Sequence, residues 1–176
     1  HVTYFFNGGY ADPVNGEERM LVPSPHVKSY AEKPEMSAYE VTEALLLNLK
    51  HQGTQFATVN ICNPDMVGHT GVLPAGIKAV ETTDECVGKI VSAASKMKGI
   101  VLVTADHGNV EEMINLATGE VDTEHSIYPV PFILVSENHH KAKLRSGGIL
   151  ASVASTILDL FGLEKPKEMT EKSLIV

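Results

Sequence analysis

The chain has 176 residues, 43% of them hydrophobic, which is enough for one domain with a proper core and argues against two. A formal charge of -8 with no cluster of Lys and Arg argues against a nucleic-acid partner, and no apolar run is long enough to span a bilayer. Two cysteines, Cys62 and Cys86, are too few for a disulfide framework and read as small buried thiols of a soluble protein in a reducing cytoplasm.

The chain opens on a strand-like run, residues 2–6, with no methionine before it, which reads as a cut edge. Residues 10–36 hold Asp12-Pro13, Asn15-Gly16, Pro23-Ser-Pro25 and Pro34, a density of breakers that excludes a long helix there. Ser37-Ala-Tyr-Glu40 has the form of a capping box, so a helix should begin there. Val41, Leu45 and Leu49 would form its buried stripe against a sheet, and Gly53 would stop it. A strand is expected at 56–61 and a second helix from about 71 to 98, with Leu73, Ile77, Val80, Val87, Val91 and Ala94 on its inner face. The almost wholly apolar run 100–105 reads as a central parallel strand covered on both faces. A short helix at 109–116, a turn at Thr118-Gly119, a strand at 131–135 and a last helix at 148–161, stopped by Gly162, complete the pattern. Strands alternating with helices predict an α/β fold of three layers, a mostly parallel sheet with helices on both faces.

Two places on this frame carry chemistry. Asp65 and His69, four residues apart, directly follow the strand expected at 56–61, and Asp106 and His107 directly follow the run at 100–105. In open parallel sheets ligands bind beyond the carboxyl ends of the strands, so the two pairs should face one crevice. His125, in the polar loop before the run at 131–135, is a third contributor. Any one of these histidines alone is more often an ordinary hydrogen-bonded residue. Together, mixed oxygen and nitrogen donors suit manganese, zinc or a similar divalent ion better than calcium. Five donors exceed the needs of one tetrahedral ion, and two ions close together are a usual device of phosphoryl transfer.

Glu111 and Glu112 could support such ligands but are more often solvent-facing on a short exposed helix, and Arg19 reads as a structural ion pair before a phosphate contact. His139 and His140 read as a solvated loop. Ser37 is better explained as a cap than as a nucleophile, and Thr70 as part of the turn behind His69.

The runs Asn63-Pro-Asp-Met-Val-Gly-His-Thr-Gly71 and Thr104-Ala-Asp-His-Gly-Asn109 resemble signature motifs of the cofactor-independent (2,3-bisphosphoglycerate-independent) phosphoglycerate mutases, alkaline-phosphatase-like metalloenzymes. His1-Val-Thr-Tyr-Phe-Phe-Asn-Gly-Gly9, Ser24-Pro25, Pro34-Glu-Met-Ser-Ala38, Val130-Pro131 and Met169-Thr170 also look like family segments in family order, so the resemblance covers essentially the whole chain. It implies that Asp65, His69 and His125 hold one metal and that Asp106 and His107 hold a second. It implies two divalent metal ions, with manganese favoured, and phosphoglycerate as substrate of a full-length enzyme that is cytoplasmic and monomeric, with no nucleic-acid or membrane partner.

The family's nucleophilic serine, its neighbouring aspartate, an upstream lysine and the inserted transferase domain that binds glycerate have no counterpart in these residues. The resemblance therefore implies that residues 1–176 are the C-terminal segment of the metal-binding phosphatase domain, inactive alone. Ser126 stands where a threonine commonly follows the histidine, and Ala151-Ser-Val-Ala-Ser155 lacks a customary aspartate and proline. A related metal-dependent phosphatase or phosphopentomutase, and a non-catalytic metal-binding module, are the alternative readings.

Overall fold

A computed structural model of the chain describes residues 2–51 and 53–176. Helix α1 (Ala38–Leu49) begins where the pattern puts it, but no capping box starts it. Ser37 makes no cap bond; its hydroxyl donates to the Pro23 carbonyl at 2.7 Å and fastens the preceding loop to the helix start. Gly53, past the helix end, has φ +124, a conformation open to glycine.

Helix α1 packs on the long helix α3 (Leu73–Lys96) and not on a sheet. The buried stripe of α3 also differs from the expected one. It consists of Ala75, Ala79, Thr82, Cys86 and Ile90, whereas Leu73, Ile77 and Val80 are 40%, 54% and 45% exposed. Small side chains win the inner face because they let neighbouring backbones approach. At Gly76 a Cβ would lie 2.4 Å from the Met113 sulfur, so the glycine admits a methionine that is itself fully buried. The short helix α2 (Asn63–Gly68) lies across α3, and under it Met36, Val67, Ala75 and Ala79 form a core cluster flanked by Tyr30, Ala31 and Met66. Burying a side chain such as Val67 contributes roughly 1.5–3 kcal/mol.

The expected mostly parallel sheet is not what the described residues form. Strands β1 (Val101–Thr104) and β2 (Phe132–Val135) pair antiparallel, with Val101 opposite Val135 and Thr104 opposite Phe132. A parallel pair needs a crossover, usually a helix, and residues 105–131 supply none. The helix expected at 109–116 shrinks to the 3-10 turn Val110–Glu112. The connection folds back on itself through antiparallel bridges between Gly108 and Ser126 and between Ile114 and Val121. Nor is β1 covered on both faces, since Val101, Leu102 and Val103 are only half-buried.

Residues 2–6 and 56–61 form no strand. The first run coils into turns, with the Asn7 and Gly9 amides donating to the Thr3 and Tyr4 carbonyls at 2.8 Å each. His1, which opens that motif, lies outside the described residues. A strand is held by a neighbour, and among the described residues none pairs with either run. Their aromatic side chains still find each other: Phe6 stacks on Phe56 at 5.9 Å, and Phe56 meets the edge of Phe161 at 6.2 Å.

Helix α4 (Ala151–Leu160) is followed by Gly162, whose φ of +67 ends it. It buries Ser152, Ser155 and Thr156, because the C-terminal segment lies along it through hydrogen bonds. The Leu174 amide donates to the Thr156 hydroxyl at 2.9 Å, and Ser155 donates to the Glu171 carbonyl at 2.8 Å. Both cysteines are free thiols, but only Cys86 is buried; Cys62, expected inside, is exposed at the start of α2. Among the described residues no helix is long and apolar enough to cross a membrane.

Candidate metal centre

The centre is built on α2. Pro64 is the second residue of this helix, whose first turn needs no amide from a proline, and Asp65 follows it. His69 is the helix's C-terminal cap, and its amide donates to the Asp65 carbonyl at 3.0 Å, which puts both side chains on one face. Asn63 anchors the turn. It is 1% exposed, its Nδ2 donates to the carbonyls of Ala79 and Pro34 at 2.9 and 3.2 Å, and its Oδ1 accepts from Thr83 at 3.0 Å. The Thr70 hydroxyl closes the other end, donating to the Val67 carbonyl at 2.6 Å, so it serves the turn behind His69 as expected.

His107 and His125 arrive on the two legs of the β1–β2 connection. The Ser126 amide donates to the Gly108 carbonyl at 2.9 Å, and this pairing stacks the two histidine rings 3.8 Å apart. Glu111 ties the legs further: its carboxylate accepts from the Ser126 hydroxyl and, at 2.8 Å, from the Asn109 amide. Burial works to raise this carboxyl, but hydrogen bonds from Ser126 and from the Glu111 and Asn109 amides, with His107 nearby, hold it below the usual range. Glu111 is exposed, as expected, and is at the same time a structural partner of both loops. Gly108 makes room for it, since a Cβ there would lie 2.1 Å from the Glu111 carboxylate and 2.2 Å from the Ser126 hydroxyl.

The five candidate residues form one contiguous group. Asp65 Oδ1 lies 3.2 Å from His69 Nε2 and 3.4 Å from His125 Nε2, and the two imidazole nitrogens are 3.2 Å apart. A looser group of Asp65, His107 and His125 has donor atoms within 4.8 Å of one another. Asp106 joins through His107, its Oδ2 3.7 Å from His107 Nε2. The tautomer of His69 is set from outside the triangle. Its Nδ1 donates to the Thr123 carbonyl at 2.6 Å, which leaves the Nε2 lone pair of the neutral ring facing Asp65 and His125. An Asx-type turn shapes the loop that presents Thr123, with the Glu124 amide donating to Asp122 Oδ1 at 3.0 Å.

A model of the metalloenzyme superfamily matches residues 1–165. The chain belongs to that superfamily. It is 54% identical over 175 residues to the 2,3-bisphosphoglycerate-independent phosphoglycerate mutase of Clostridioides difficile (strain 630), covering 99% of the chain and 34% of that protein. To the enzyme of the same name from Thermomicrobium roseum it is 55% identical over 179 residues, covering 100% of the chain and again 34% of the relative. Among solved structures it matches Leishmania mexicana phosphoglycerate mutase, crystallised at low cobalt concentration, with a TM-score of 0.90 and 35% identity over 99% of the chain and 35% of that protein. The chain therefore spans about a third of the length of the curated relatives it matches.

Three residues that hold the candidate site together had no assigned role in the sequence reading. Asn109, Thr123 and Ser126 touch Asp65, His69 and Glu111 respectively. Thr123 acts through a backbone carbonyl, which leaves no trace in residue type. Asn109 stood inside a quoted motif, directly after Gly108, and that position was the available signal. The remaining residues read as bystanders are settled locally. Arg19 pairs with Glu17 and donates to the Ala11 carbonyl at 2.6 Å. His139 Nδ1 contacts the Ser136 hydroxyl at 3.0 Å and His140 Nδ1 donates to the Glu137 carbonyl at 2.8 Å, so each ring serves its own turn.

Proposed function

We propose that the chain is the C-terminal segment of the metal-binding phosphatase domain of a 2,3-bisphosphoglycerate-independent phosphoglycerate mutase, a glycolytic isomerase that interconverts 3-phosphoglycerate and 2-phosphoglycerate. In this reading Asp65, His69 and His125 hold one divalent ion, and Asp106 and His107 contribute to a second. Manganese is the ion that the family resemblance favours, and the mixed carboxylate and imidazole donors suit it as they suit zinc. The whole enzyme is cytoplasmic and monomeric, and its additional strands extend the β1–β2 pair into a three-layer, mostly parallel sheet.

The observation that carries the reading is the triangle of donors. Ligand atoms around a four-coordinate ion with bonds of about 2.0–2.1 Å stand roughly 3.3 Å apart. The separations of 3.2, 3.2 and 3.4 Å among Asp65, His69 and His125 match that spacing. The orientation of His69 supports it too, since its proton is engaged with Thr123 and its lone pair is aimed inward.

When bound, such ions activate a serine hydroxyl and offset the charge of the transferring phosphoryl group. The chain's own part is to hold the donors. Helix α2 fixes Asp65 and His69, and the paired legs of the β1–β2 connection carry His107 and His125 to them. The serine that accepts the phosphoryl group and the residues that grip glycerate belong to the remaining two-thirds of the enzyme. Metal-depleted full-length enzyme should isomerise 3-phosphoglycerate only after manganese is restored, and Asp65→Ala or His107→Ala should lose metal and activity together. Full activity in either variant would overturn the ligand assignment, and turnover of a phosphopentose in place of phosphoglycerate would overturn the substrate.

A further inference from the structure

Asn109 connects the two halves of the centre. It belongs to the loop that bears Asp106 and His107, yet its side chain reaches the other half, where Nδ2 donates to Asp65 Oδ1 at 2.8 Å. The same nitrogen is 3.4 and 3.3 Å from the two ring nitrogens of His69. A position nearly equidistant from both, at that range, lies over the ring face, because an in-plane approach would collide with the ring carbons. The residue is only 5% exposed, and its side-chain oxygen is pressed against α2, where a Cβ on Gly68 would stand 2.1 Å from it. The Asn109 backbone is held as well, its amide donating to Glu111. The side chain therefore has one place to be, and two of the three donors in the triangle rest against it.

We propose that Asn109 is a positioning residue of the metal centre, holding the Asp65 carboxylate and the His69 ring in the orientation that a divalent ion requires. This rests on the ligand reading given above. A carboxylate free to rotate, or an imidazole free to tilt, must be ordered when the ion binds, and that cost lowers affinity. Partners that orient metal ligands typically contribute about 10–100-fold to metal affinity. The affinity of the ion on Asp65, His69 and His125 should accordingly depend on a residue supplied by the loop of Asp106 and His107.

The test uses metal-depleted full-length enzyme titrated with cobalt(II), followed by the visible absorption of the bound ion and by calorimetry. Asn109→Leu keeps the branching of the side chain and removes the donor. It should weaken the ion on the Asp65 triangle by about 10–100-fold and alter its absorption band, while the other ion binds as in the unaltered enzyme. Gly68→Ala approaches Asn109 from the opposite side without touching a ligand and should reproduce the effect. Should Asn109→Leu fail to fold, Gly68→Ala supplies the same measurement, and circular dichroism before metal addition separates folding from binding. Unchanged affinity and an unchanged band in a folded variant would overturn the role of Asn109. Asp65→Ala, run alongside, separates the two readings: if it loses an ion while the Asn109 and Gly68 variants do not, only the positioning role fails. If Asp65→Ala keeps both ions, the ligand assignment itself fails.

Discussion

A methyl group added at Gly108 would fall at 2.1 Å from the Glu111 carboxylate and 2.2 Å from the Ser126 hydroxyl, so both side chains must move. Forcing those groups apart separates the legs that bring His107 to His125. Gly108→Ala should lower stability by about 1–3 kcal/mol, the usual range for overpacking, and weaken metal retention as well, measured by denaturant unfolding and metal analysis. A distant carboxylate offers a contrasting case. Hydrogen bonds from Arg19 and from the Val14 amide, opposed by burial and joined by Asn7, hold the Glu17 carboxyl down at about 2. The folded value lies below the ordinary one of about 4.3, so whatever this group adds to stability is present in full above that pH. It is lost as pH falls through the folded value, near 2. An NMR titration of the full side chain should find the Glu17 carboxylate still ionised at pH 3, and a midpoint near 4 would show that its clasp on Arg19 and Asn7 does not hold in solution.

At the scale of elements, α3 shows how far a hydrophobic pattern can be read. It has apolar residues on two faces, and nothing in period alone says which face meets α1 and α2. The large aliphatics Leu73, Ile77 and Val80 were the natural choice, yet the contact is made by alanines, a threonine and a cysteine, with Ile90 the one large aliphatic among them, because the neighbouring backbones come close. The positions of α1, α3 and α4 were legible, since their breakers and periodicity are local, whereas α2 was not expected and the helix expected at 109–116 is only a 3-10 turn. The strands at 2–6 and 56–61 were not, because a strand depends on a partner elsewhere in the fold. The site was legible as two acid-histidine pairs plus His125, while the antiparallel return that stacks His107 on His125 depends on a pairing between Gly108 and Ser126 that neither residue announces. The two faces of α3 can be told apart experimentally. Ala79→Leu, at a position with no exposure, should destabilise the chain by about 1–3 kcal/mol in any context. Ile77→Ala, half-exposed in the isolated chain, should fall within about 0.5 kcal/mol there. In the full-length enzyme it should cost about 2–5 kcal/mol if another layer covers it, and an equally small effect in both contexts would mean that the outer face stays in water.

For the whole molecule the deciding fact is how much apolar surface remains uncovered. Tyr4, Phe5, Phe6, Phe56, Ile133, Phe161 and Leu163 are all exposed, and among the described residues no further strand pairs with the outer edge of β1 or β2. Such edges pair readily with other chains unless charges or a neighbouring element block them. The strands carry no charge, reading Val101-Leu-Val-Thr104 and Phe132-Ile-Leu-Val135. The chain matches about a third of its relatives' length, at a TM-score of 0.90 to part of a solved mutase, and in the whole enzyme proposed above further strands and helices would cover these surfaces. In isolation the same surfaces should drive self-association. Sedimentation of the 176-residue chain should therefore show mass rising with concentration, and no isomerisation of phosphoglycerate should accompany it. Ile133→Lys sets a charge on the half-exposed face of β2 and should shift the sedimentation toward monomer without disturbing the Asp65 triangle. A chain that stays monomeric at high concentration before any substitution would mean that its edges and aromatic face are already satisfied. The larger sheet proposed for the enzyme would then have to be built from somewhere else.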